Sequence, residues 1–242
     1  MRKPYHPEEP KKEQVRVMFD RIAPRYDLLN HTLSLNIDRV WRRRMVRLVQ
    51  GFGPHTILDV ATGTGDLAVA MARKMRQATV VGVDLSAEML AVAREKVARQ
   101  GVADRVTLQE GDAEQLAFAE GSFDAVTVAF GVRNFGDLQA GVREMYRVLK
   151  PGGRLVILEF SYPRNPLFRA LYGWYSRQIL PRIGGAISHE RAAYEYLPAS
   201  VEDFSRNTDI VALMQQVGFV RCEARSQSWG IAHIYLGEKE IK

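Results

Sequence analysis

The stretch Thr56-Ile-Leu-Asp-Val-Ala-Thr-Gly-Thr-Gly-Asp66 decides the fold. Thr56–Val60 is an apolar run of strand length. Gly63–Asp66 reads as a turn, and Leu67–Met75 has helical periodicity. A strand that passes through a glycine-rich turn into a helix opens a βαβ unit. Gly63 and Gly65 let a ligand approach the backbone closely. The helix that starts there offers unpaired N–H groups. Such a turn also serves dinucleotides, although here Ala68 stands where the third Gly of G-x-G-x-x-G is expected.

Outward from this turn the rhythm repeats. Strands are predicted at Thr79–Val83, Val106–Glu110, Phe123–Ala129 and Arg154–Phe160, with helices at Ala87–Gln100 and Leu138–Leu149. The alternation predicts an α/β fold: a doubly wound, mostly parallel, Rossmann-like sheet with its ligand at the carboxyl ends of the strands. Ile210–Val217 reads as a helix, and Phe219–Arg225 and Ala232–Gly237 as a hairpin on the sheet edge. Val15–Gln50 reads as helical in two or three pieces, broken near Pro24 and around Asn30–Asn36, and residues 1–14 as frayed. Residues 162–200 carry Tyr, Trp, Pro, Arg and Gly with no strand pattern, and read as a helical insertion over the site. One domain of 242 residues results: an N-terminal helical cap (1–50), a core (56–160), a helical lid (162–200) and a terminal helix with its hairpin (210–238).

Cys222 is the single cysteine, which excludes an intrachain disulfide and a cysteine-based metal site and fits a reducing compartment. Met1–Pro10 has no apolar signal region, and no apolar run reaches the roughly 18 residues of a membrane span. The expected location is cytoplasmic. The net charge of +6 is confined to residues 1–50, which hold 12 Lys/Arg against 6 Asp/Glu, while the remainder holds 22 of each. A solvated basic face, an anionic membrane surface and nucleic acid are the three readings. Nucleic acid fits least, because Arg42, Arg43 and Arg44 lack interleaved aromatics beyond Trp41.

Further signals recur at successive strand ends. Asp84 lies 19 residues after Gly65 and can accept hydrogen bonds from ribose hydroxyls. In Gly111-Asp112-Ala113 a carboxylate can accept from an adenine amino group. Leu149-Lys-Pro-Gly-Gly-Arg154 needs Gly at positive φ. Each has a plainer reading: turn glycines, a loop carboxylate at Asp112, and Asp84 as a helix cap, although Ser86 is the better cap candidate.

In these residues the chain resembles class I S-adenosylmethionine-dependent methyltransferases over about residues 56–160 and the final hairpin. The resemblance implies seven strands with the last antiparallel. It also implies that Gly63, Thr64 and Gly65 contact the methionine part, Asp84 the ribose, Asp112 and Ala113 the adenine, and that Ala129 lines the site by its backbone. Three further stretches are more specific: Tyr26-Asp-Leu-Leu-Asn-His-Thr-Leu-Ser34 followed by Trp41, Phe130-Gly-Val-Arg-Asn134, and Arg147-Val-Leu-Lys-Pro-Gly-Gly-Arg-Leu-Val-Ile-Leu-Glu-Phe-Ser161. They resemble the ubiquinone/menaquinone biosynthesis C-methyltransferase family across about residues 14–237. Leu29 stands where Met is usual and Asp38 where His is usual, which argues against a catalytic His at position 38.

The resemblance implies C-methylation of a prenylated quinol, demethylmenaquinol first, with the methoxy-benzoquinol of ubiquinone synthesis or a small-molecule O- or N-acceptor as alternatives. A ring carbon ortho to a phenolic oxygen becomes nucleophilic when that oxygen ionises, and the methyl sulfonium needs no metal. Alignment supplies much of the rate, and a general base the rest. Arg133 is expected to favour the phenolate, or else to pair with Glu159 or Asp137. Asn134 is expected to hydrogen-bond the phenolate, and Tyr26 and Asp27 to close over the cofactor, unless Asp27 only ends a helix. His31 and His189 are base candidates or plain surface histidines. Leu167, Phe168, Leu171, Tyr172, Tyr175 and Ile179, flanked by Arg164, Arg169, Arg177 and Arg182, read as a helix packed on the core or as an amphipathic lid for a prenyl tail. Burial at ~25 cal/mol per Å² keeps such tails out of water. Peripheral contact at the inner membrane face follows from that reading, and a homodimer is compatible with it.

Overall fold

Strand β1 (Thr56–Val60) is the hub of the sheet. It pairs in parallel with β2 (Thr79–Asp84) on one side and with β4 (Phe123–Ala129) on the other. Strand β3 (Val106–Glu110) extends the sheet beyond β2, and β5 (Leu149–Phe160) extends it beyond β4. Strands β6 (Phe219–Gln227) and β7 (Ala232–Lys239) form the expected hairpin, with β7 antiparallel to β5. The order β3-β2-β1-β4-β5-β7-β6 is the doubly wound, mostly parallel sheet read from the sequence. The computed structural model describes residues 3–5, 8–163, 166, 173 and 191–241.

Helices α3 (Asp66–Lys74), α4 (Ala87–Arg99) and α5 (Leu138–Val148) cover the sheet, joined by α7 (Ile210–Val217). Because side chains alternate along a strand, Ile57 and Leu58 enter opposite layers. Ile57 packs with Met45, Val49, Met71, Val80 and Val156, and Leu58 with Val126, Val142, Met145, Ile157 and Met214. Ser86 caps α4 through the Met89 N–H at 3.0 Å, as expected, and Asp137 caps α5 through the Ala140 N–H. Gly152 takes φ +75°, as its turn requires. Leu149 leaves the helix assigned to it and pairs with Phe123; the pairing then shifts, resuming at Ala125 with Arg154. The Pro-Gly-Gly turn is thus an irregularity inside a longer strand.

The N-terminus departs most from expectation. Helix α1 (Lys11–Leu33) starts in the segment read as frayed and runs unbroken through Pro24; α2 (Ile37–Gln50) follows after a short turn. Lys11 and Gln14 are buried. The Lys11 ammonium donates to the carbonyls of Arg133 at 2.7 Å and Phe135 at 3.0 Å, and Gln14 accepts from the Tyr5 N–H at 2.8 Å. Polar side chains here meet backbone partners rather than water. Proline removes one helical hydrogen bond. Pro24 lies on the exposed side of α1, where water can reach the freed carbonyl, while Ile22, Ala23 and Leu29 pack against Met89 of α4. They also meet Ala193 and Tyr196 of α6 (Arg191–Asn207). Helix α6 crosses residue 200, the boundary read for the insertion. The apolar and arginine positions read as the insertion's helix, and His189, lie outside the described residues.

Candidate active site

The carboxyl ends of β1 to β4 surround a cleft of about 740 Å³, counting the space open at its mouth. Its floor is Ala61 and Gly63 after β1, Asp84 at the end of β2 with Leu85 and Ser86 after it, Gly111 to Glu114 after β3, and Ala129, Phe130 and Asn134 at and after β4. This is the switch point, where connections leave β1 and β4 in opposite directions. Helix α1 roofs it with Lys12, Val15, Arg16, Phe19 and Tyr26. Ala61 (φ 52°) and Phe130 (φ 61°) take left-handed backbone conformations at the ends of β1 and β4. Such strain in residues with a Cβ clusters at functional sites.

The Asp84 carboxylate is held on both oxygens by backbone. One oxygen accepts from the Gly63 N–H at 2.7 Å and the other from the Ser86 N–H at 2.9 Å. Burial pushes its pKa up against those bonds. Each oxygen keeps a lone pair for a hydroxyl donor. An added side chain at Gly63 would meet nothing within 4 Å, so the backbone there stands open to a ligand. Gly65 does different work: at φ +78° it precedes α3, and an added Cβ would lie 3.2 Å from the Cβ of Ala93 on α4. Across the cleft, Asp112 is paired with Lys12 at 2.6 Å, and Lys12 also meets Glu114 at 2.7 Å.

Comparison with known proteins agrees with this geometry. The model of the ubiE/COQ5 methyltransferase family matches residues 8–239. The chain belongs to that family. It is 43% identical over 237 residues to a demethylmenaquinone methyltransferase of Bacteroides fragilis, covering 98% of this chain and 97% of the relative. It is 48% identical over 233 residues to a Geobacter sulfurreducens protein named ubiquinone/menaquinone biosynthesis C-methyltransferase UbiE, covering 96% of this chain and 91% of the relative. A solved structure of a putative S-adenosyl-L-methionine-dependent methyltransferase from Methanococcus maripaludis superposes with a TM-score of 0.64 at 18% identity, over 98% of this chain and 97% of that one. The last likeness speaks to fold alone. The chain is therefore a methyltransferase on a class I, Rossmann-like sheet.

Within this family member, the structure brings Tyr26, Gly63, Asp84, Asp112, Ala113, Ala129 and Asn134 to one cleft. The Asn134 carbonyl accepts from the Tyr196 hydroxyl at 3.2 Å, which leaves its N–H donors for the cleft. No hydrogen bond engages the Tyr26 hydroxyl among the described residues, and its burial pushes the pKa up.

Thr64, Gly65, Asp27, His31 and Arg133 do not line the cleft. Arg133 turns back towards β5, where its guanidinium meets the buried Glu159 at 2.7 Å and accepts no place on the floor. Asp137, the other partner considered for it, is a helix cap. Asp27 is not a helix end but lies inside α1, where it accepts from the Thr64 hydroxyl at 2.5 Å. His31 has both ring nitrogens engaged, by Asp38 at 2.8 Å and Asp66 at 3.3 Å. Those two carboxylates raise its pKa to about 9, so it is charged at neutral pH and cannot serve as a base. Asp38 is fully buried and held down to about 2 by His31 and Arg42 against the effect of burial.

Sequence reasoning missed the roof residues Lys12, Arg16 and Phe19, and also Lys96, a buried lysine on α4. Val15, Met18, Phe19 and Ile22 fall at helical spacing and were the available signal for α1. It also missed Asp59, which burial raises to about 6 while Thr62 and Thr127 donate to it at 2.7 Å each.

Proposed function

We propose that this methyltransferase binds S-adenosylmethionine in the cleft and methylates a ring carbon of a prenylated quinol, demethylmenaquinol first. The observation that carries the cofactor reading is Asp84, a half-buried carboxylate at the end of β2 with a backbone N–H on each oxygen and acceptor capacity left toward the cleft, as two adjacent ribose hydroxyls require. The cleft fits the rest. Its volume lies in the range of small-molecule sites, and Leu85, Met89 and Phe135 offer apolar walls to an adenine. Asp112 can accept from the adenine amine once Lys12 yields its place. Ala113 and Ala129 would meet the ligand by backbone, and Gly63, with Thr64 behind it, would take the methionine end.

When bound, the cofactor supplies a methyl group on a positively charged sulfur. The chain's own part is to hold the acceptor against it. Asn134 can donate to a quinol oxygen and favour its ionised form, and the unengaged Tyr26 hydroxyl faces the same space. Arg133 anchors the turn that carries Asn134 through Glu159. Residues 1–50 act as a cap over the core, and the substrate class follows the names of the relatives. A prenylated acceptor resides in membranes. The exposed face of α2, with Arg39, Arg43, Arg44 and Arg47 around Ile37 and Val40, suits peripheral contact with an anionic membrane at the inner face. No helix among the described residues is long and apolar enough to cross a membrane.

The test is incubation with methyl-labelled S-adenosylmethionine and a demethylmenaquinol, a methoxy-benzoquinol and a panel of small phenols and amines. Label on the demethylmenaquinol ring is expected. Label on the methoxy-benzoquinol alone would move the acceptor to ubiquinone synthesis, and label on the small panel alone would overturn the quinol reading.

A further inference from the structure

We infer that Lys96 is a positioning residue that locks the roof of the cleft to its floor; this rests on the cofactor site proposed above. Lysine is almost never fully buried unless paired. Lys96 is 8% exposed, on the face of α4 that also buries Met89, Leu90, Ala93 and Val97. Its ammonium meets three elements at one point. Asp27 Oδ2 of α1 lies at 2.6 Å, Asp66 Oδ1 at the start of α3 at 2.5 Å, and Thr64 Oγ1 of the glycine turn at 3.2 Å. The Thr64 hydroxyl in turn donates to Asp27 Oδ1 at 2.5 Å.

Lys96 does not itself line the cleft, but each of two partners is the chain neighbour of a residue that does. Asp27 follows Tyr26 on the roof, and Thr64 follows Gly63 on the floor. Fixing Asp27 sets where the Tyr26 hydroxyl hangs, and fixing Thr64 sets the Gly63 N–H, which holds Asp84. The surrounding cluster is balanced. Lys96, Arg42 and the charged His31 face Asp27, Asp38 and Asp66. Asp27, His31 and Asp66 also lie close enough to hold a metal ion, but the Lys96 ammonium already contacts both carboxylates. The cluster therefore works as a clasp.

Three variants test this: Lys96→Met, Lys96→Arg, and the double variant Lys96→Met with Asp27→Asn. The double variant removes the charges of Lys96 and Asp27 together and leaves Asp66 with His31 at 3.3 Å and Arg42 at 3.9 Å, so the cluster's net charge is unchanged, and circular dichroism and the melting temperature establish which variants are folded. In the folded Lys96→Met and double variants, calorimetric affinity for S-adenosylmethionine should fall about tenfold or more, the scale of hydrogen bonds to charged groups. The KM for the cofactor should rise in step, kcat at saturation should stay within about threefold, and Lys96→Arg should recover most of the loss. A folded double variant that binds the cofactor like the parent overturns the inference. A parent chain that binds no S-adenosylmethionine overturns instead the site reading on which it rests.

Discussion

At the scale of single residues, Asp84 and Arg133 have different duties and give opposite expectations. Asp84 keeps lone pairs for a ligand, so Asp84→Ala should weaken S-adenosylmethionine binding by about 1.5–3 kcal/mol, the range for hydrogen bonds to a charged group. Calorimetry on the folded variant checks it, and unchanged affinity removes the ribose assignment. Arg133 tells the reverse story. In the sequence it sits four residues past the end of β4, where an acceptor would be met, and the structure turns its guanidinium into the buried pair with Glu159. Removing one partner of a buried pair strands the other, at about 3–5 kcal/mol. Arg133→Leu should therefore lower the melting temperature, and any loss of turnover in the folded fraction should not depend on pH. A stable variant whose activity recovers as pH rises would return Arg133 to the chemistry. The side-chain direction was not legible because it depends on the left-handed φ of Phe130, which no propensity announces.

At the scale of elements, the α1–α2 junction is a charged clasp with a pH window. His31 is raised from 6.5 to about 9, so its contribution is fully present below about pH 6.5 and is lost as pH rises through 9. Asp38 is lowered from 3.8 to about 2, so its contribution is present above about pH 3.8 and is lost as pH falls through 2. The turn between the helices should be held most firmly between these limits. Hydrogen exchange at residues 30–37, or the melting temperature, should show a decline from pH 6.5 to 9 that His31→Asn abolishes; an identical slope in that variant would sink the clasp. The sheet and its crossing helices were legible because apolar periodicity, caps and turn glycines all agreed there. Helix α1 was not. Its first turn is polar, and only the carbonyls of Arg133 and Phe135, more than a hundred residues away in sequence, make Lys11 a buried residue.

At the scale of the whole molecule, the floor of the cleft was readable, and of its roof only the helical cap and Tyr26 were. Strand ends place Gly63, Asp84, Asp112 and Ala129 by topology alone, whereas the roof depends on how α1 docks, which is tertiary information. The same docking decides where the net charge goes. All of the +6 lies in residues 1–50, and Asp38 and Arg42 cancel each other in the interior. On α2 the outward arginines 39, 43, 44 and 47 remain, with Ile37 and Val40 among them and Leu35 exposed in the preceding turn. Basic side chains near an anionic bilayer contribute about 1 kcal/mol each, and that attraction is screened over about 10 Å at 0.1 M salt. The chain should thus sediment with anionic vesicles at low salt and bind neutral ones weakly. Replacing Arg43 and Arg47 by Gln should cost about 2 kcal/mol, roughly thirtyfold in partitioning. These two arginines lie on α2's outward face and do not line the cleft, so turnover on a soluble short-tailed acceptor should be unchanged. Turnover on acceptor embedded in anionic vesicles should fall with the partitioning. Equal partitioning into anionic and neutral vesicles at both low and high salt would show that the arginine face does not direct the chain to lipid.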